Sequence, residues 1–114
     1  MPRPALSVLP GTVTSLALSA LEQGGRMHGF EVLSWLETQT DGQLLVEEGA
    51  LYPALHRLEK RGLIRGDWGI SEKGRRAKYY TLTAAGRKEL ARERVQWARY
   101  AALMDKVMAP EAGS

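Results

Sequence analysis

Eight cations fall within 22 residues of the sequence: Arg57, Lys60, Arg61, Arg65, Lys73, Arg75, Arg76 and Lys78, against only Glu59, Asp67 and Glu72. Clustered Lys and Arg displace condensed counterions from phosphates together, the chemistry of a polyanion-binding surface; a solvated charged face is the alternative for such a run. The chain's net charge of +3 conceals this cluster, because residues 1–56 carry a net −4, residues 57–78 a net +5 and residues 79–114 a net +2. Other chemistries are poorly supplied. There is no cysteine, which excludes a disulfide framework, a thiol nucleophile and Cys-based metal sites, and His28 and His56 are the only histidines. No cofactor or metal is expected. Without a phosphate-cradling glycine loop, metal-ligand spacing or a nucleophile–base pair, no catalytic residue is expected either, and the chain does not read as an enzyme.

At 114 residues the chain has room for one ordinary domain, and 44% hydrophobic with 25% charged residues is enough to bury a core. No apolar run approaches the roughly 20 residues that span a bilayer, and the N-terminus MPRPALSVLPG lacks the layout of a signal peptide. A cytoplasmic location without membrane contact is expected.

The elements that must position the cations follow from local pattern. Pro2, Pro4 and Pro10 make residues 1–11 a flexible, extended arm ending in a turn. Val13, Leu16, Ala17, Ala20 and Leu21 form one apolar stripe of a first helix, stopped by Gly24-Gly25. A second helix runs from His28 to about Glu37, with His28 at its start. The third starts near Glu48, directs Leu51, Leu55 and Leu58 inward, and ends where Gly62 supplies a C-terminal cap. Pro53 falls in or just after its first turn, where a missing N–H costs little. Glu47 and Glu48 complement the helix dipole. Leu63 to Ile70 and Ala77 to Leu82 read as strands joined by a polar tip at residues 71–76, with Lys73, Arg75, Arg76 and Lys78 clustered at the tip, and Thr83 is a candidate N-cap for a last helix reaching Met108. In that helix Leu90, Trp97, Ala101, Met104 and Met108 follow the seam spacing of a helix packed along another helix.

The expected fold class is mainly α with a β-hairpin wing (α+β): a winged helix-turn-helix over residues 12–82, a C-terminal dimerisation helix over 83–108 and a tail over 109–114. In such folds a recognition helix enters the major groove and a basic hairpin touches the neighbouring backbone. Gly49-Ala-Leu-Tyr-Pro-Ala-Leu-His-Arg-Leu-Glu-Lys-Arg-Gly-Leu-Ile64, with Trp68-Gly69, Gly74-Arg-Arg-Ala-Lys-Tyr-Tyr80, Leu82-Thr-Ala-Ala-Gly86 and Met27-His-Gly-Phe-Glu31, resembles the PadR family of bacterial transcriptional regulators. The resemblance covers about residues 12–108. It implies a homodimer, and the short length is similar to the family's small branch, which includes multidrug-sensing repressors that hold planar aromatic compounds between tryptophans of paired C-terminal helices. Trp97 sits where such a tryptophan would lie. Two departures are Phe30 in place of the usual tyrosine and Val46-Glu-Glu-Gly49 in place of a Ser-Pro-Gly type of entry into the third helix.

The candidate DNA-binding residues are Gly49, Ala50, Tyr52, Pro53, His56, Arg57, Lys60, Lys73, Arg75, Arg76 and Lys78. Gly49 and Ala50 act by smallness, and the cations on phosphate or in a minor groove. Tyr52 is either a groove-facing side chain or a supporting aromatic, and His56 either a base contact or a solvated position. The dimerisation candidates are Val13, Leu16, Leu90, Trp97, Ala101, Met104 and Met108. Trp97, Ala101 and Met104 are also the candidates for holding a small aromatic or hydrophobic effector, although Trp97 reads equally as dimer core. Trp35 and Trp68 read as packing residues. The favoured function is a homodimeric repressor of a pseudo-palindromic operator in double-stranded DNA; the alternative is a winged-helix module that binds protein.

Overall fold

The computed structural model describes residues 4–110. The first three residues of the arm and residues 111–114 of the tail lie outside the described residues. In chain order the elements are β1 (Leu6–Ser7), α1 (Val13–Gly24), β2 (Met27–His28), α2 (Gly29–Gln39), β3 (Leu44–Leu45), α3 (Glu48–Lys60), β4 (Ile64–Ile70), β5 (Arg76–Leu82) and α4 (Ala84–Met108). This is the α+β winged arrangement, with the long last helix in place.

Caps written in the sequence form at the helix ends. The Glu31 N–H donates to His28 Nδ1 while the His28 N–H donates to Glu31 Oε1, a capping box at the start of α2. At the end of α3, Gly62 adopts φ 74°, and its N–H and that of Leu63 return to the carbonyls of Glu59 and Leu58. This left-handed closure favours glycine and turns the chain directly into β4. Thr83 caps α4 by accepting from the Gly86 N–H, and its hydroxyl donates back towards the carbonyls of Gly62 and Leu63. The start of α4 is thereby tied to the end of α3.

The core joins Ala17, Leu18 and Leu21 of α1, Val32 and Leu36 of α2, Leu51, Leu55 and Leu58 of α3, Ile64 and Leu82 of the hairpin and Leu90 of α4. Gly86 lets α4 approach this core: a Cβ there would overlap the Leu63 carbonyl oxygen. β5 is the centre of a three-stranded antiparallel sheet, with β4 on one side and the short β2 on the other.

One feature departs from the sequence reading. The arm is not free along its described length: Leu6 and Ser7 pair in parallel with Leu44 and Leu45, and the Leu6 N–H donates to the Gln43 carbonyl over 2.8 Å. Pro53 is the sixth residue of α3, just after its first turn, as its place in the sequence suggests. Its missing N–H leaves the Gly49 carbonyl without the usual helical donor, on a side of α3 where both residues are exposed.

Candidate nucleic-acid interface

The buried stripe of α3, Leu51, Ala54, Leu55 and Leu58, fixes which residues can face a partner. Glu48, Gly49, Tyr52, Pro53, His56, Arg57 and Lys60 are exposed, and Ala50 is half-buried against the core. Tyr52 is 44% exposed and lies across Gly29, the first residue of α2, where a Cβ would stand 2.6 Å from Tyr52 Cε1. The ring is supported from below by α2 and open above. Burial, aided by the Glu48 carboxylate, raises its pKa, so its hydroxyl keeps its proton and can both donate and accept.

The structure sorts the eight cations of the basic segment. Arg61 meets Glu89 at 3.7 Å, Arg65 meets Asp67 at 3.4 Å, and Lys78 Nζ donates to Glu59 Oε1 at 2.7 Å. Arg57, Lys60, Lys73, Arg75 and Arg76 have no carboxylate at ion-pair distance among the described residues. Lys78 corrects the sequence reading. It lies within β5 opposite Trp68, not at the hairpin tip, and the hydrogen bond to Glu59 raises its pKa and anchors the wing to α3. Gly66 makes this possible, because a Cβ there would occupy the path of the Lys78 side chain. The tip itself is Ser71 to Arg75, closed by the Ser71 N–H on the Arg75 carbonyl at 2.7 Å, with Gly74 at φ 73°.

Trp68 is a second correction. It was expected to pack, yet it is 59% exposed, with the Arg76 guanidinium 4.4 Å above its ring. On the opposite face of the sheet Arg26 stacks on Tyr79 at 4.1 Å. The alternation of a strand foretold neither pair, because each joins residues from different segments.

A separate apolar surface runs along α4. Leu90 is 1% exposed and Val13 is also buried, so both belong to the protomer's own core and not to a free seam. Beyond Leu90 the cover ends. Trp97, Met104 and Met108 are exposed, Ala101 is half-buried, and the sequence reading missed Tyr100, Leu103 and Val107, which widen the same exposed face. Two clefts of about 540 and 530 Å³ meet at Trp97. The apolar lining of the second includes Leu6, Val8, Leu9, Leu16, Leu44 and Leu90, and Glu93 lines it as well. Of the three effector candidates Trp97 lines both clefts, whereas Ala101 and Met104 line neither. Glu93 accepts from the Ser15 hydroxyl, and burial and the neighbouring Glu89 raise its pKa.

The fold that presents these two surfaces is shared with known proteins. The Transcriptional regulator PadR-like family model matches residues 17–92. The chain belongs to this family. A transcriptional regulator of Clostridium thermocellum is 31% identical, with 86% of this chain and 94% of that one covered and a TM-score of 0.78. A PadR family transcription regulator of Clostridium difficile is 28% identical over 87% of this chain and 100% of that one, with a TM-score of 0.72. An uncharacterized protein of Lysinibacillus sphaericus is 27% identical over 89% of this chain and 92% of its own length. This PadR-like regulator has no helix, among its described residues, that is long and apolar enough to cross a membrane.

Proposed function

We propose that two copies of this PadR-like regulator bind a pseudo-palindromic operator as a repressor. α3 enters the major groove through Gly49, Ala50, Tyr52, Pro53 and His56, and Arg57, Lys60, Lys73, Arg75 and Arg76 engage the backbone and the adjacent groove. The observation that carries this reading is the division of the basic segment, in which five cations on α3 and the wing have no carboxylate partner among the described residues, while Arg61, Arg65 and Lys78 are each paired with one. Two-fold symmetry requires half-sites about 10 bp apart, or a multiple of that. The second copy packs against the exposed face formed by Trp97, Tyr100, Leu103, Met104, Val107 and Met108, with Leu16 and Ala101 at its edge. A small aromatic or hydrophobic effector in the apolar space at Trp97 shifts the population towards a spacing of the two α3 helices that no longer matches the operator.

A gel-shift titration of the full chain on the DNA upstream of its own and neighbouring genes tests this. Specific retardation with two protomers per site supports it. The absence of binding at low salt overturns it and leaves a protein-binding module. Quenching of tryptophan fluorescence by flat aromatic compounds, lost in Trp97→Ala, tests the effector site; quenching that survives the substitution removes it.

A further inference from the structure

The wing carries an arrangement that phosphate binding alone does not require. The β4–β5 register pairs Ile64 with Leu82, Gly66 with Tyr80, Trp68 with Lys78 and Ile70 with Arg76. Cross-strand partners share a face. This face is buried at its base, where Ile64, Tyr80 and Leu82 join the core, and it is anchored to α3 by Lys78 and Glu59. Beyond that anchor it is uncovered, with Trp68 59% and Ile70 69% exposed. Arg76 lies diagonally across from Trp68, its guanidinium 4.4 Å above the indole. Lys78, the neighbouring cation, is held by Glu59. Arg76 is thus the cation of this face without a carboxylate partner among the described residues.

A cation needed only to neutralise phosphate gains little from an aromatic support, since a mobile ammonium serves as a point charge. Lys73 and Arg75 at the tip have no such ring contact among the described residues. A guanidinium held over an indole is partly dehydrated on that side and restricted in its rotamers, while N–H groups directed away from the ring can still donate. That state suits a narrow, strongly negative minor groove, where A·T-rich sequence concentrates potential and attracts arginine. Seven-residue strands reach about 20 Å, enough to carry the stack from the α3 end of the hairpin to the groove next to the one α3 occupies.

We infer that Trp68 is a positioning residue that holds Arg76 for insertion into the A·T-rich minor groove flanking each half-site, with the indole at the groove mouth. The inference rests on the operator-binding reading above and adds to it a readout of flanking sequence.

The test uses the full chain and two versions of an operator that the wild type binds, one with A·T-rich and one with G·C-rich flanks, titrated at several salt concentrations. The wild type should prefer the A·T version about tenfold. Trp68→Ala should keep the salt slope, since no charge is lost, but lose most of that preference, and Trp68→Phe should restore part of it. Arg76→Ala should lose the preference and also lower the slope by roughly 0.9 per contact. Trp68→Ala with Arg76→Ala should discriminate no worse than Arg76→Ala alone. A Trp68→Ala variant that keeps the wild-type preference, or loses affinity equally on both operators, overturns the inference. So does a wild type that binds specifically but ignores the flanks. A wild type with no specific operator overturns the DNA-binding reading itself.

Discussion

Replacing Gly29 by alanine separates DNA reading from folding. The new Cβ would stand 2.6, 2.8 and 2.9 Å from Tyr52 Cε1, Cζ and Oη. Comfortable carbon contacts lie at about 3.5–4.0 Å, so the ring must withdraw by about 1 Å. It has somewhere to go, because Tyr52 is 44% exposed and opens onto the outer side of α3. Overpacking costs about 1–3 kcal/mol where nothing can move, and the low end applies here. Gly→Ala at an unstrained helical position restores about 0.4–1 kcal/mol through the unfolded chain. The net change in stability should therefore stay within about 1 kcal/mol, a few degrees in Tm. Affinity for the operator should nevertheless fall about tenfold, or about 1.4 kcal/mol, because the groove-facing ring is displaced. Fluorescence anisotropy with labelled operator and a thermal melt measure the two quantities. In a Tyr52→Ala background, Gly29→Ala should cause no further loss of affinity. Wild-type affinity in Gly29→Ala, or an equal loss in both backgrounds, would refute the role given to Tyr52.

Further outcomes follow from other contacts. Gly86→Ala places a Cβ against the Leu63 carbonyl, a backbone atom that cannot yield cheaply, and should destabilise the fold by about 2 kcal/mol or more in a thermal or urea melt. Leu103→Asp with Val107→Asp touches only exposed positions, so sedimentation should show at least tenfold weaker self-association while circular dichroism stays unchanged. Glu89 is held down at about 2, chiefly by its hydrogen bond with Arg92. A depressed carboxylate contributes stability above its unfolded pKa of about 4.5 and loses it as pH falls towards 2. Stability measured between pH 5 and 2 should therefore fall more steeply in the wild type than in Glu89→Gln; parallel curves would contradict this.

What the sequence reveals here is what neighbours along the chain decide. The helical stripes, the His28 and Thr83 caps and the closure at Gly62 each involve residues within a few positions of one another, and each forms as its residue types require. The contacts that sort the site are not local. Lys78 is withdrawn from the free cations by Glu59, 19 residues away, and β1 pairs with β3 from the far side of two helices. Leu90 and Trp97 share a stripe, yet one is core and the other is surface. The 12-residue α1 covers only the first part of the 25-residue α4, a length mismatch that periodicity along α4 does not encode. The exposed Trp68 carried no local signal, because its partner Arg76 lies across the hairpin.

The most direct measurement is the salt dependence of operator binding by the full chain and by Arg75→Ala with Arg76→Ala, against a scrambled duplex of equal length. The wild type should bind the operator in preference to the scrambled duplex, with log Kd varying linearly with log salt concentration. The double variant should bind more weakly and lose roughly 0.9 of slope for each phosphate contact removed. No preference for the operator at low salt, or a slope unchanged in the double variant, would contradict the assignment of α3 and the wing as the DNA-binding surface.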